Sequence, residues 1–257
     1  MKETTTIEKD KVELQKPILI EGLPGLGLVG KIAVEYLIKQ LKAKKFAELY
    51  SPHFAYYVLV DSKGAIRLLR LEFYYWKTEG EGNDLIILTG DSQAQTIEGQ
   101  YEIADAILDF AHKHHVKMVL TVGGFRKEVE NEPQVLAAAT SQNFLTKALK
   151  AGAKSSPSGS PIVGTAGLLI GLAGFKEIDA VCFLVETPGY LPDPRAAKSF
   201  LSVLSRMIGF DIDLSGLDKE ISKSERIEEG MKKIEEQRKV SEKKRRKIED
   251  EKVSYIS

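Results

Sequence analysis

Residues 17–38 read PILIEGLPGLGLVGKIAVEYLI, and the fold of the whole chain follows from this stretch. Ile18, Leu19 and Ile20 form a short apolar run. Gly22, Gly25, Gly27 and Gly30 follow within nine residues, and Ile32, Ala33, Tyr36 and Leu37 then recur at helical spacing. An apolar run, a glycine cluster and a 3.6-residue period in succession predict the strand, tight turn and helix of one α/β unit. Two ligand motifs overlay the same glycines. Gly25, Gly27 and Gly30 spell GxGxxG, the dinucleotide fingerprint, with Glu48 in the next apolar run as the acid such a site would offer a ribose. Gly25 to Lys31 spells GxxxxGK, but Ile32 stands where a P-loop supplies a hydroxyl to magnesium. A third reading needs no ligand: the glycines let the turn reach positive φ and let the helix pack closely on the sheet.

Composition narrows the function classes. Lys plus Arg and Asp plus Glu each total 37, so the net charge is zero and nothing draws the chain as a whole to nucleic acid or anionic lipid. The single cysteine, Cys182, lies in the apolar run IDAVCFLVE and reads as a small buried thiol. The opening residues, MKETTTIEKDKVELQK, lack the apolar core of a signal peptide, and no run reaches the length of a membrane span. The expectation is a cytoplasmic protein with no membrane partner.

Outward from the glycine stretch, residues 1–16 read as a polar lead-in ending in an edge strand. Phe46 to Tyr50 is a strand. Tyr56 to Val60 and Ala65 to Trp76 form a hairpin about Asp61-Ser62-Lys63-Gly64, with apolar groups on both faces, so that another element or subunit is expected to cover one of them. Strands follow at Asp84 to Thr89, Lys117 to Val122 and Ile178 to Glu186. Helices follow at Thr96 to His115, Ser141 to Ala151, Thr165 to Gly174 and Pro194 to Ile208. This alternation predicts an α/β fold with a mostly parallel sheet flanked by helices. Ligands of such sheets gather beyond the carboxyl ends of the strands. Here four loops, Gly22 to Gly30, Gly90 to Gln93, Gly123-Gly124 and Thr187 to Tyr190, are expected to share that edge.

Three further patterns suggest chemistry. Gly90-Asp91-Ser92-Gln93-Ala94 approaches the GxSxG nucleophile elbow, although Ala94 replaces its last glycine and the histidines His112, His114 and His115 follow on the very next helix. HKHH is not framed by metal-ligand spacing and suits a helix C-terminus. Asp193, before Pro194, reads as a helix cap. None of these calls for catalysis, a cofactor or a metal.

Beyond Leu217 the composition changes to Glu, Lys, Arg and Ser, with Ile227, Met231 and Ile234 as a short apolar stripe. An extended charged C-terminal helix is expected, some 50 Å long at about 1.5 Å per residue. The block Lys243 to Lys247 (KKRRK) has acidic neighbours and reads as a solvated face, which makes nucleic acid an unlooked-for partner. The last five residues, Val253-Ser254-Tyr255-Ile256-Ser257, turn apolar again. An aromatic anchor with a free carboxylate on a long tether suits a pocket on a partner.

The motifs GLPGLGLVGKIAVEYLI, LTGDSQ, TVGGF, GTAGLLIGLAG and ETPGYLPDPRAA, in this order over roughly residues 17–210, resemble the archaeal members of the proteasome assembly chaperone family. The resemblance implies a phosphorylase-like α/β fold without established catalysis, homo-oligomers, and binding to proteasome α subunits, either alone or together with a homologous chaperone. It also implies docking through a C-terminal hydrophobic-Tyr-any-residue motif. Tyr255 stands third from the end where that motif has it second, and Ile256 takes its place. Val253, Tyr255, Ile256 and the Ser257 carboxylate are the expected partner-binding residues. The expected organisation is a lead-in (1–16), an α/β domain (17–215), a charged arm (216–252) and a docking tail (253–257). The alternative is an α/β enzyme that holds a nucleotide or phosphate ligand on Gly25 to Gly30.

Overall fold

The computed structural model describes residues 1–129, 131–231 and 233–234. In chain order its elements are β1 (Thr5–Glu8), β2 (Ile18–Glu21), α1 (Val29–Leu41), β3 (Lys44–Tyr50), β4 (Val58–Val60), β5 (Ile66–Leu68), β6 (Leu71–Trp76), β7 (Leu85–Gly90), α2 (Ile97–Lys113), β8 (Met118–Arg126), β9 (Val135–Ala139), α3 (Gln142–Lys150), β10 (Lys154–Ser155), α4 (Thr165–Ala173), β11 (Asp179–Thr187) and α5 (Pro194–Ile208). A further helix, α6, spans 215–231.

Nine strands of the described residues make one sheet in the order β1-β3-β6-β7-β2-β8-β11-β9-β10. The four at its centre, β7, β2, β8 and β11, run parallel. Antiparallel strands flank them: β6, β3 and β1 on one side and β9 on the other. The sheet is therefore mixed, with its parallel part where helices cover both faces. β2 shows why: Ile18 and Ile20 join the core under α1, α3 and α5, while Leu19 joins the opposite core under α2 and α4. A strand buried on both faces must be apolar at every position, and ILI is.

The predicted helices form at or near their expected bounds. Thr96 caps α2 by accepting a hydrogen bond from Gly99 N at 3.0 Å. The side chain of Asp193 caps α5, accepting from Arg195 N and Ala196 N, both at 3.1 Å, with Pro194 in the first turn. The lead-in does contain an edge strand, β1, which pairs with β3, but near its start rather than at its end.

Two details differ. The segment 65–76 is not one strand. β5 pairs only with β4 in a separate two-stranded ribbon, and β6 belongs to the main sheet. The chain changes sheet at Leu69-Arg70, where Asp91 accepts from Arg70 N at 3.1 Å and the Arg70 carbonyl accepts from Asp91 N at 3.1 Å. The second difference is β9, which sequence reasoning passed over. VLAAA carries no β-branched run, and it is pairing with β11 along its whole length, and with β10 at two residues, that extends it.

Candidate functional site

The carboxyl ends of β7, β2, β8 and β11 lie side by side, so the loops at Gly22 to Gly30, Gly90 to Gln93 and Thr187 to Tyr190 share one edge of the sheet, whereas Gly123-Gly124, expected as a fourth loop, lies within β8, where pairing with Leu184 and Val185 of β11 extends the strand to Arg126. Their glycines are used for close packing. A Cβ at Gly22 would collide with the carbonyl of Gly30, and one at Gly30 with the carbonyl of Val122, so α1 rests against β8 backbone to backbone. Gly27 has φ +60°, and a Cβ there would sit 2.6 Å from Thr187 Oγ1. Gly25 is different: only Gln93 Nε2, at 3.8 Å, would be within contact of a Cβ.

Polar side chains close the edge. Gln93 donates from Nε2 to Pro24 O at 2.7 Å and accepts at Oε1 from Thr165 N at 3.0 Å, tying the first glycine loop to the start of α4. Thr187 donates to Asp193 Oδ2 at 2.9 Å, and Asp193 N donates to Gly27 O at 2.8 Å. The loops are thus fastened to one another by groups a phosphate would otherwise use.

The ligand motifs fare accordingly. Lys31, the cation of the GxxxxGK pattern, donates to Gly90 O at 2.7 Å and pairs with Glu35 at 2.9 Å. Glu48, the proposed ribose acid, lies on β3, with β6 and β7 between it and β2. Burial would raise its carboxyl. Hydrogen bonds from Lys45, Lys9 and Tyr50, and the charge of Arg70, outweigh that and hold it at about 2. It is a buried structural anion. In the GDSQA turn, Asp91 receives both Nη atoms of Arg67, at 2.5 and 2.9 Å, and Ser92 donates to Gln93 O at 2.8 Å. The histidines stand at the far end of α2, roughly 25 Å from its start at 1.5 Å per residue, beyond reach of Ser92. Burial also pushes His114 below the usual imidazole range, packed against Phe46 and Phe110. Among the described residues no group of three His, Cys, Asp or Glu is arranged to hold a metal, and no helix is long and apolar enough to cross a membrane.

Sequence reasoning missed one titratable group at this edge. Glu21, the last residue of β2, is 1% exposed. Its Oε1 accepts from Leu23 N at 3.0 Å, while Oε2 has no partner. Burial pushes the carboxyl up to about 8. Nearby, burial pushes the Cys182 thiol up to about 12, so it behaves as the inert apolar group expected. The signal for Glu21 was in plain view: an acid closing an otherwise apolar central strand.

The last described element leads past the same edge. α6 starts against α1, where Tyr36 donates to Asp213 O at 2.6 Å and Leu217 is buried. It then passes the loop after β11, where Ser224 donates to Pro192 O at 3.1 Å, and it continues with Ile227 and Met231 exposed. Between α6, α5 and residues 131–135 lies a cleft of about 630 Å³. Its cations Lys154, Arg195, Lys198 and Arg206 are offset by Glu132 and Glu225, and three of them are engaged: Arg195 with Asp193 and Glu228, Lys198 with Asp218, and Arg206 with Ala151 O. The predicted docking residues Val253, Tyr255, Ile256 and Ser257, the block Lys243 to Lys247 and most of the predicted arm lie outside the described residues.

The PAC2 family model matches residues 19–235. The chain belongs to the PAC2 family. Relatives extend over nearly the same length. The uncharacterized protein MJ1210 of Methanocaldococcus jannaschii is 35% identical over 225 residues, covering 87% of this chain and 86% of its own. Pyrococcus furiosus PbaB, described as an archaeal proteasome activator, has 40% identity and a TM-score of 0.86, covering 90% of this chain and all of its own. Pyrococcus furiosus PbaA, described as an archaeal homolog of proteasome-assembly chaperone, has 29% identity and a TM-score of 0.74, and covers both chains fully. The PAC2 match takes in the glycine edge and reaches to the end of the described part of α6, so both belong to the shared unit.

Proposed function

We propose that this chain is a non-enzymatic chaperone or binding protein of the proteasome core particle. In this reading the α/β body, residues 17–215, assembles with further copies of itself. Each copy sends its arm, 216–252, past the glycine edge, and the tails, 253–257, occupy pockets on the ring of proteasome α subunits. The observation that carries it is the likeness to PbaB over 90% of the chain, at 40% identity. The glycine edge is consistent with it: loops that fasten to one another make a rigid base from which α6 can project. Weak tails become effective together, because after one has docked the others bind at high local concentration, which raises avidity by about two to four orders of magnitude. Retention of purified α-ring assemblies on the immobilised full chain tests the reading, and no retention at any ionic strength overturns it. Nucleotide binding on Gly25 to Gly30 is disfavoured by the engagement of Lys31 and the position of Glu48. Calorimetry with nucleotides and nicotinamide cofactors should give flat traces.

A further inference from the structure

At the end of the sheet opposite the glycine edge, β2, β8 and β11 begin at Ile18, Met118 and Asp179. Between these strand starts, α3 and the last turn of α5 lies a cavity of about 540 Å³, inside the range of roughly 300–1,000 Å³ typical of small-molecule sites. Its floor is apolar: Ile18 is buried, and Met118, Phe144, Met207 and Ile208 are half-buried. Two of the chain's four methionines are on that floor. Their unbranched, polarizable side chains adapt to an irregular guest by changing rotamer.

The rim is cationic. Lys16, Lys117 and Lys147 stand on it, all exposed, with Asp179 as the one acid among the lining residues. Among the described residues none of these three lysines pairs with a carboxylate. Asp179 meets Lys117 only through the backbone, its N–H donating to Lys117 O at 3.0 Å, and the Lys147 ammonium rests over the Phe144 ring, 4.8 Å from its centre. The cleft beside α6 is different, since three of its four cations are already engaged. Lys16 is also fixed in position. Its φ is +44°, a conformation a non-glycine residue keeps only when its surroundings impose it. Here they do: Gln15 N donates to Asp84 Oδ2 at 2.7 Å, Asn83 Nδ2 to Lys16 O at 2.7 Å, and Ile18 N to Asp84 O at 2.9 Å.

Three lysines less one aspartate leave the rim with an excess of two positive charges above an apolar floor. That arrangement is complementary to an anion with an aliphatic body. A nucleotide fits it poorly, because the ring that would stack on a base, Phe144, already carries the Lys147 ammonium on its face. A peptide fits it poorly too: its backbone amides would be buried against a floor with no polar group to receive them.

We propose that this cavity binds a small aliphatic carboxylate, with its chain on Ile18, Met118, Met207 and Ile208 and its head among Lys16, Lys117 and Lys147. The site lies at the other end of the sheet from the glycine edge and does not rest on the function proposed above.

The test is calorimetry of the purified full chain with acetate, hexanoate, octanoate and decanoate, each below its micelle concentration. Affinity should climb about tenfold for every two methylenes until the cavity is full, and acetate should give no heat. Octanol, which has the chain without the charge, should bind at least about tenfold more weakly than octanoate. Citronellate beside decanoate compares a branched isoprenoid chain with a straight one, and the tighter of the two names the source of the ligand. A variant with Lys16→Gln, Lys117→Gln and Lys147→Gln, all exposed positions outside the core, should lose at least about tenfold in octanoate affinity. A control with Lys2→Gln, Lys63→Gln and Lys223→Gln carries the same change in charge and should bind as the wild type does. The methionine methyl groups locate the chain without altering the head site: in the nuclear magnetic resonance spectrum of methyl-labelled protein, decanoate should move the signals of Met118 and Met207 and leave those of Met1 and Met231 in place. Flat traces with every carboxylate, octanol binding as tightly as octanoate, a lysine variant that binds as the wild type does, or methyl shifts confined to Met1 and Met231 each overturns the proposal. No proteasome is present in these mixtures, so their outcome is independent of whether the chain retains α-rings.

Discussion

Replacing Glu21 by Gln should change how stability depends on pH, with a sign the structure dictates. The carboxyl titrates near 4.5 in an unfolded chain and near 8 in the folded one, because burial disfavours the ionised form. Below pH 4.5 both states hold the proton. Between 4.5 and 8 the unfolded chain has released it and the folded chain has not, so stability falls as pH rises, by about 1.4 kcal/mol per unit. The accumulated loss is about 3 kcal/mol at pH 7 and nearer 5 above pH 8, where the folded carboxyl ionises as well. Gln keeps an oxygen for Leu23 N and does not titrate. Urea unfolding of both proteins from pH 4 to 9, plotted as the difference between variant and wild type, cancels the contributions of groups common to both, such as Glu48 and His114. The variant should gain on the wild type steadily across this window. A difference curve that is flat from 4.5 to 8 would refute the reasoning and show that the buried carboxylate is stabilised by something other than Leu23 N.

The glycines should separate by role: Gly30→Ala, whose Cβ meets the Val122 carbonyl, should cost at least about 2 kcal/mol, while Gly25→Ala, in extended backbone with room around it, should cost under about 1 kcal/mol. Thermal melts decide this, and equal losses at both positions would undo the packing account of the edge. Asp193→Ala removes the cap of α5 and the acceptor for Thr187, and should lower stability by about 1–2 kcal/mol. A change within experimental error would mean that the backbone bond from Asp193 N to Gly27 O is enough to hold the loop.

The parts of this fold legible in sequence are those whose causes are local. The apolar run, the glycines and the helical period at 17–38 lie within one unit, and so do the caps at Thr96 and Asp193. What was hidden depends on partners distant in the chain. Nothing within VLAAA makes β9 a strand; its neighbour β11 lies some 40 residues on. The break at Leu69-Arg70 is set by Asp91, across the β6–β7 turn. The site shows the same division. That three of the four expected loops would share an edge followed from the alternation of strands and helices; that Gly123-Gly124 would stay within β8 did not. That Gln93 and Asp193 would fasten them shut did not, because the bonds of Gln93 to Pro24 and Thr165 and of Asp193 to Gly27 join residues far apart in the chain. Glu48 illustrates the cost of reading spacing alone: its distance from the glycines suited a ribose acid, but strand order put two strands between it and β2, in a cluster of cations.

The central claim is tested most directly by pull-down from native lysate with the intact chain and with a chain ending at Lys252, identifying the retained proteins by mass spectrometry. Truncation removes Val253, Tyr255, Ile256 and the terminal carboxylate while leaving the body and the rest of the arm intact. The account predicts that the intact chain recovers proteasome α subunits and the truncated chain does not. Equal recovery by both would contradict it and move the contact to the folded domain.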